Sequence, residues 1–190
     1  TRRPAGITTP AYTQQEGDTP FGITDVGYLA SPTFADIDDD GDLDLFIGNG
    51  SGRTLFFRNT ADTGATTPAY TQQEEDTPFG ITDVGYLASP AFADIDDDGD
   101  LDLFIGNNDG NNLFFRNTGT ASAPAYTQEE GNTPFGITDV GGSANPAFAD
   151  IDNDGDLDLF IGNGSGETLF FRNTAAPGTT TPAYIQEGGN

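Results

Sequence analysis

The sequence predicts an all-β fold: a β-propeller of four-stranded antiparallel blades, with three blades in this chain. The first observation is an internal repeat, because Phe-Ala-Asp-Ile-Asp begins at Phe34, Phe92 and Phe148, with spacings of 58 and 56 residues. The second is that each period holds four short segments separated by Pro and Gly, with no sustained helical periodicity. The third is that the middle segments are near-continuous apolar runs, typical of strands covered on both faces. Four short strands in a period of this length match one propeller blade.

The elements of the first period are predicted in order along the chain. The strands are expected at residues 32–37, 43–48 and 54–58, with a fourth centred on residues 69–72. An Asp-rich loop joins the first two strands, and the Gly-rich turn at residues 49–52 joins the next two. Phe56 and Phe57 are expected to place one ring on each face of the blade. A β-solenoid is the structural alternative, but its rungs are usually much shorter than this repeat.

Blade boundaries follow from the repeat. Pro-Ala-Tyr, the sequence of the fourth strand, occurs once more than the number of blades, ending at Tyr12, Tyr70, Tyr126 and Tyr184. The predicted division is residues 1–30 for a surplus outer strand (residues 10–12) and its leading loop, 31–88 for blade 1, 89–144 for blade 2 and 145–190 for blade 3. At the seam of a closed ring, the outer strand can come from the Tyr12 segment or from the Tyr184 segment, but not from both.

Composition excludes several classes of function. The chain has 31 acidic residues against 6 Lys and Arg, for a formal net charge of -25, which disfavours nucleic-acid and anionic-membrane partners. An aromatic content of 11% indicates a folded core and not an acidic disordered tail. Cys is absent, which excludes disulfides and thiolate metal sites. His is also absent, so most mechanisms of acid–base catalysis lack a required residue, and we expect that the protein is not an enzyme. No apolar run is long enough for membrane insertion, and none follows the first residues as a signal peptide would require.

The Asp-rich loop at residues 36–44 predicts a calcium site. Asp occupies loop positions one, three, five, seven and nine, and Gly41 occupies position six, where a sharp turn is needed. Calcium takes six to eight oxygen ligands, and alternate carboxylates on a tight loop can converge on it, with position seven contributing its backbone carbonyl. One ion per blade, three per chain, is therefore expected. The candidate ligands are Asp36, Asp38, Asp40, Asp42, Asp44, Asp94, Asp96, Asp98, Asp100, Asp102, Asp150, Asp152, Asp154, Asp156 and Asp158.

The loop sequence also resembles other Asp-rich loops, but it differs from each of them in at least one feature. An EF-hand needs a Glu at position twelve and flanking helices, whereas Ile47 stands there inside a predicted strand, so Asp44 must complete the ligand set. A solvated turn without an ion is the simplest alternative, but four crowded carboxylates repel one another, and the pattern occurs three times. Magnesium is disfavoured by its strict octahedral demand. In the third loop Asn153 replaces Asp at position four, where the side chain should point outward.

A family resemblance rests on the combined motifs. Phe-Gly precedes the first strand of each blade, and the Asp loop and a Gly-Asn turn follow in the same order each time; the Phe-Gly pairs are Phe21-Gly22, Phe79-Gly80 and Phe135-Gly136. In this order the chain resembles the FG-GAP or VCBS-type repeats of integrin α-subunit propellers and of many bacterial surface proteins. The resemblance implies calcium between the first two strands of each blade, an extracellular or cell-surface location, and adhesion or binding roles. Gly-Ala-Pro of that family is replaced here by Gly-Asn-Gly or Gly-Asn-Asn, and no integrin ligand contacts carry over.

Three blades are too few to close a ring, since propellers use about four to eight. We therefore expect head-to-tail association of chains, most simply two chains forming six blades, with a larger ring or a fragment of a longer propeller as alternatives. The expected function is a non-catalytic module for scaffolding, adhesion or protein binding. A glycan-binding lectin with sites between blades is the alternative, and an enzyme with paired carboxylates is a third hypothesis. The near-identity of the blades also suits recent amplification or an engineered repeat protein.

Two further sets of residues recur in the blades and are expected to have structural roles. Arg58, Arg116 and Arg172 recur in Phe-Phe-Arg-Asn-Thr and are expected to be structural partners of nearby acidic groups, with ligand binding as the alternative. Tyr28 and Tyr86 precede the first strands of blades 1 and 2, and blade 3 lacks a tyrosine there. Local packing is the expected role of this pair, and a sugar-stacking platform is the alternative.

Overall fold

Three four-stranded antiparallel sheets follow one another along the chain in this computed structural model. It describes residues 17, 19–62, 64–73, 77–120, 122–129, 131, 134–176 and 179–188. The strands are β1 (Ser31–Ala35), β2 (Asp44–Gly48), β3 (Thr54–Asn59), β4 (Tyr70–Gln72), β5 (Ser89–Ala93), β6 (Asp102–Gly106), β7 (Asn112–Asn117), β8 (Tyr126–Glu129), β9 (Asn145–Ala149), β10 (Asp158–Gly162), β11 (Thr168–Asn173) and β12 (Tyr184–Glu187). Each sheet runs in sequence order, β1-β2-β3-β4, β5-β6-β7-β8 and β9-β10-β11-β12. The all-β prediction with four antiparallel strands per repeat is confirmed.

The Asp-rich hairpin is where strand bounds differ from the prediction. β1 ends at Ala35, two residues earlier than expected, and β2 begins at Asp44, one residue later. The register pairs Ala35 with Asp44, so the eight residues between them leave the ladder as a loop. The difference has a local cause, since the Asp36 carboxylate accepts hydrogen bonds from backbone N–H groups further along the loop.

Successive sheets pack face to face, with their first strands adjacent. β1 lies beside β5, and β5 lies beside β9. Phe56 is buried in the core between the first and second sheets, whereas Phe57 is buried in a separate cluster on the opposite face of the first sheet. The prediction of one ring on each face is therefore confirmed, and it explains why the strands lack a polar side.

A short 3-10 turn introduces each sheet, at Pro20–Gly22, Pro78–Gly80 and Pro134–Gly136. A Cβ on Gly80 would lie 2.6 Å from the carbonyl oxygen of Tyr126, and the φ of Gly80 is +92°, so only glycine fits there. The Phe-Gly pair thus marks a close contact between each leading segment and the fourth strand of the sheet that follows it. In the part of the chain that the structure describes, no helix is long and apolar enough to cross a membrane.

The third sheet takes its outer strand from its own chain. β12, which begins at Tyr184, pairs with β11 through the register Asn173 to Tyr184. The surplus segment at residues 10–12, including Tyr12, lies outside the described residues.

Candidate metal centre

Three clusters of carboxylates lie in the loops between the first and second strands of the sheets. In each cluster, one oxygen from each of three Asp residues lies within 4.8 Å of the others. The residues are those at loop positions one, three and five: Asp36, Asp38 and Asp40; Asp94, Asp96 and Asp98; and Asp150, Asp152 and Asp154. The structure therefore brings together nine of the fifteen predicted ligands as three triads.

The loop is shaped by hydrogen bonds from its own backbone. Asp36 accepts from the N–H of Asp40 at 3.1 Å and from the N–H of Gly41 at 3.0 Å. Asp40 in turn accepts from the N–H of Asp42 at 2.9 Å. The second loop repeats all three bonds, and the third repeats the two that involve Gly155 and Asp156. These bonds hold the residues at positions one and five close to one another. They involve the backbone N–H of position seven, and its carbonyl oxygen takes no part in them.

Position four of the loop adopts the left-handed backbone region. Asp39, Asp97 and Asn153 have φ values of +56°, +57° and +60°, and all three side chains are exposed. Asp and Asn tolerate this region better than other non-glycine residues. The Asn in the third loop is therefore compatible with the same loop, and the expectation that position four points outward is confirmed.

Position nine lies in the adjoining strand and not within the triad. Asp44 is 2% exposed, and its Oδ1 accepts from the backbone N–H of Asn59 at 2.6 Å. Asp102 and Asp158 make the same bond to Asn117 and Asn173, at 2.7 and 2.8 Å. Each of these carboxylates thus joins the start of the second strand to the end of the third.

Burial makes ionisation of Asp44 and Asp102 unfavourable in the protein without metal. Desolvation raises the pKa of Asp44 to about 6, and the charges of Asp40 and Asp36 add to the rise. Desolvation likewise raises the pKa of Asp102 to about 7, with a further contribution from Asp96. These two carboxylates therefore gain most from a nearby positive charge.

An arginine from the third strand pairs with position three of each loop. Arg58 contacts Asp38, Arg116 contacts Asp96, and Arg172 contacts Asp152. Arg116 also bonds Glu129 at 3.1 Å, and Arg172 bonds Glu187 at 2.7 Å. The guanidinium carbons lie 5.3–5.7 Å from the ring centroids of Phe56, Phe114 and Phe170. The expected structural role of these arginines is confirmed, although their pairing with a predicted metal ligand was not anticipated.

A tyrosine from the fourth strand holds the loop at position eight. The hydroxyl of Tyr126 donates to the carbonyl oxygen of Leu101 at 2.7 Å, and Tyr70 and Tyr184 make the equivalent bonds at 3.2 and 3.0 Å. Burial, together with the charge of Asp102, raises the pKa of Tyr126, so its hydroxyl stays protonated and remains a donor. Sequence reasoning missed this contact, although Pro-Ala-Tyr at the blade period was a signal that could have indicated it.

The donor set fits a hard divalent cation. Among the described residues, buried carboxylate oxygens without a hydrogen-bond partner include Oδ1 of Asp38 and Asp96 and Oδ2 of Asp44, Asp102 and Asp158. A buried, unpartnered carboxylate oxygen is costly unless a cation compensates it. Every side-chain donor of the triads is an oxygen, which suits calcium or magnesium and not a soft transition metal.

A comparison with known families matches the same loops. Two overlapping stretches, residues 36–105 and 94–161, match a family model described as an FG-GAP-like repeat. Each stretch runs from the first Asp of one loop to the second strand of the following sheet, and together they cover about two thirds of the chain. No curated protein matches the chain.

Proposed function

Because the chain belongs to the FG-GAP-like repeat family, we propose that it is a non-catalytic, calcium-stabilised propeller module that serves in scaffolding, adhesion or protein binding. One observation carries the proposal: buried carboxylate oxygens without hydrogen-bond partners recur beside the Asp triads. A hydrated surface turn would not need to bury such groups. A cation site accounts for their burial in all three blades.

The residues that would hold calcium follow from the loop. Positions one, three and five supply the triad, and position nine supplies the buried Oδ2 of Asp44, Asp102 or Asp158. When bound, the ion would supply the positive charge that offsets repulsion within the triad and the desolvation of position nine. The Arg pairing occupies only one oxygen of position three, since Oδ1 of Asp38 and Asp96 has no partner.

The consequence of calcium would be structural. Each loop joins the first two strands, Asp44 ties it to the third strand, and Tyr70 ties it to the fourth. An ion in the loop would therefore stabilise the connections among all four strands of a blade. We place the module outside the cell or at its surface, where millimolar calcium would occupy at least about half of the sites if their dissociation constants are on the order of 10⁻⁴–10⁻³ M.

Ring completion is part of the same proposal. Three blades fall short of the roughly four to eight in a closed propeller, so two chains associating head to tail would supply six. A closed ring leaves no blade face open to solvent, and it presents the loops of all blades at its two ends for partner binding.

A second candidate function is glycan binding. The rings of Tyr28 and Tyr86 are 54% and 45% exposed, with centroids 6.0 Å apart, and Leu29 and Leu87, which follow them in the chain, help to line an open depression. A pair of exposed aromatic rings suits a sugar that stacks on one of its faces. A glycan array on the wild-type protein and on Tyr28→Ala would test this candidate, because binding that Tyr28→Ala does not weaken would exclude this pair as the platform.

Isothermal titration with two adjacent variants tests the calcium proposal. Asp98→Asn removes a triad carboxylate but keeps an Oδ1 that can accept from the N–H of Asp100. Asp97→Asn removes the same charge from the exposed position four, where the third loop already has Asn153. We expect three ions for the wild type and for Asp97→Asn, and two for Asp98→Asn. No uptake at millimolar calcium, or the same loss in both variants, would overturn the proposal.

A further inference from the structure

A cluster of four phenylalanine rings closes each contact between successive blades. Phe46 and Phe56 of the first blade meet Phe79 and Phe92 of the next, with centroids 4.7–6.3 Å apart. Phe104, Phe114, Phe135 and Phe148 form the same cluster at the second contact, at 4.8–6.3 Å. Two rings come from the second and third strands of one blade, and the other two come from the leading segment and first strand of the following blade.

The third and first blades carry the two halves of this cluster on their outward faces. Phe160 and Phe170 of the third blade lie 4.8 Å apart, and no ring of another blade packs on them within the described residues. Phe21 and Phe34, which correspond to Phe79 and Phe92, are 43% and 52% exposed. Phe46 and Phe56 are at most 2% exposed. Each end thus exposes aromatic surface that the matching half covers elsewhere in the same chain.

A glycine that recurs at one strand position in all three blades gives an independent indication. A Cβ on Gly48 would lie 2.1 Å from the carbonyl oxygen of Ala88, and one on Gly106 would lie 2.2 Å from that of Ala144, so the following blade requires glycine at both positions. Gly162 occupies the same strand position in the third blade, where a Cβ would meet nothing closer than 4.0 Å. The third blade therefore has the small residue that a following blade needs, on a face that no other blade covers among the described residues.

A backbone hydrogen bond also repeats at both contacts. Val84 donates to the carbonyl of Gly52 at 3.0 Å, and Val140 donates to the carbonyl of Gly110 at 3.2 Å. The corresponding groups at the ends are the N–H of Val26 and the carbonyl of Gly166. In the described part of the chain these two groups do not bond each other. They would be joined if the first blade of one copy followed the third blade of another.

The charge pattern of the metal loops suits the same contact. Asp97 and Asp156 line one small cleft between the second and third blades, so loop positions four and seven of successive blades approach each other. At the end of the chain, position four is Asn153 and not Asp. A following copy would place Asp42 opposite this neutral side chain, which removes one like-charge contact from a pairing of two strongly acidic chains.

We infer that the exposed face of the third blade binds the first blade of a second copy, with Phe160 and Phe170 receiving Phe21 and Phe34. This contact deepens the ring completion proposed above by naming its partner and its surfaces. It is heterologous, since each copy presents a different face, and two such contacts close a ring of two chains. Its formation depends on blade packing and is separable from the calcium stoichiometry.

Light scattering after gel filtration in millimolar calcium tests the contact. The wild type should run at twice the monomer mass, and Gly162→Ala should run as a monomer. The new methyl group would collide with a second copy as at Gly106, but among the described residues of its own chain it meets no atom closer than 4.0 Å. Ile185→Thr is the matched control, because Ile185 is 57% exposed on an outer strand, and the other blades have the exposed Thr71 and Thr127 there. This variant should remain dimeric.

A second variant blocks the other face. Phe34→Asp should also be monomeric. An equimolar mixture with Gly162→Ala should form one-to-one dimers, because the intact third blade of Phe34→Asp can bind the intact first blade of Gly162→Ala. Titration of monomeric Gly162→Ala should still count three calcium ions, so that a failed assembly is distinguished from a failed metal site. A monomeric wild type at about 100 µM, or a dimer that survives both variants, would overturn the inference.

Discussion

The carboxylate of Asp102 and the backbone N–H of Asn117 are joined by a 2.7 Å hydrogen bond, although 15 residues separate them. One carboxylate oxygen is used in this bond, and the other has no partner and is buried. The first oxygen therefore stabilises the β-sheet, and the second is free to contact a cation bound at the adjacent Asp triad. This division makes the two roles of position nine separable by substitution.

Asp102→Asn should have opposite effects with and without calcium. The amide oxygen can still accept the hydrogen bond from the N–H of Asn117, while the negative charge that burial disfavours is removed. The free energy of unfolding in EDTA at pH 7.5 should therefore rise by about 1–2 kcal/mol. In millimolar calcium the variant should lose the stabilisation from the second loop. Urea denaturation in EDTA and in calcium measures whether the substitution raises the free energy of unfolding in the first condition and lowers it in the second. Destabilisation in EDTA would show that Asp102 is not a strained charge in the metal-free protein.

The pH dependence of the calcium-free protein follows from the same groups. Burial raises the pKa of Asp44 to about 6 and of Asp102 to about 7, so the folded chain binds more protons than the unfolded chain between about pH 4 and 7. Stability in EDTA should therefore fall as the pH rises through this window. The charges of Asp40 and Asp36 add to the rise in the pKa of Asp44, whereas at Asp102 the charge of Asp96 adds to the rise and that of Arg116 opposes it.

Calcium should reverse this trend, because the ion binds the ionised carboxylates and competes with protons. Melting temperatures at pH 5, 6, 7 and 8, in EDTA and in calcium, give the comparison. The Asp44→Asn/Asp102→Asn double variant is the control and should show a flatter dependence in EDTA. Stability in EDTA that rises from pH 5 to pH 8 would contradict the prediction.

Arg116 should matter most when calcium is absent. Arg116→Met keeps an apolar side chain near Phe114 but leaves Asp96, which is 7% exposed, without its positive partner. We expect the free energy of unfolding to fall by about 1–3 kcal/mol in EDTA and by less in calcium, since the ion would compensate the negative charge of Asp96. Glu129→Gln is the control: it leaves the contact of Arg116 with Asp96 in place and should change stability little under either condition. Equal losses for Arg116→Met in EDTA and calcium would show that Arg116 acts only by packing.

The sequence was sufficient for the order of strands and for the loop that holds the triads. Those features depend on local chemistry, since Pro and Gly mark the strand ends and alternating Asp residues lie on one short loop. It was not sufficient for the partners of that loop. Asn117, Arg116 and Tyr126 reach the second loop from 15 to 25 residues away, through a register that only the paired strands define. The end of β1 was placed two residues too late because Asp36 uses its side chain to bond the loop backbone, which an apolar pattern does not reveal.

Tyr126→Phe should weaken the second loop without disturbing the core. The ring is 5% exposed and would remain in place, but the carbonyl of Leu101 would lose the hydroxyl that lies 2.7 Å away. An acceptor left unsatisfied at this depth costs about 1–2 kcal/mol, which urea denaturation can measure. Since Leu101 stands between Asp100 and Asp102, calcium affinity at that loop should also fall several-fold in titration. Tyr86→Phe removes a hydroxyl from a ring that is 45% exposed and should change neither quantity. If the two variants behaved alike, the bond from Tyr126 to the loop would have no part in shaping the metal centre.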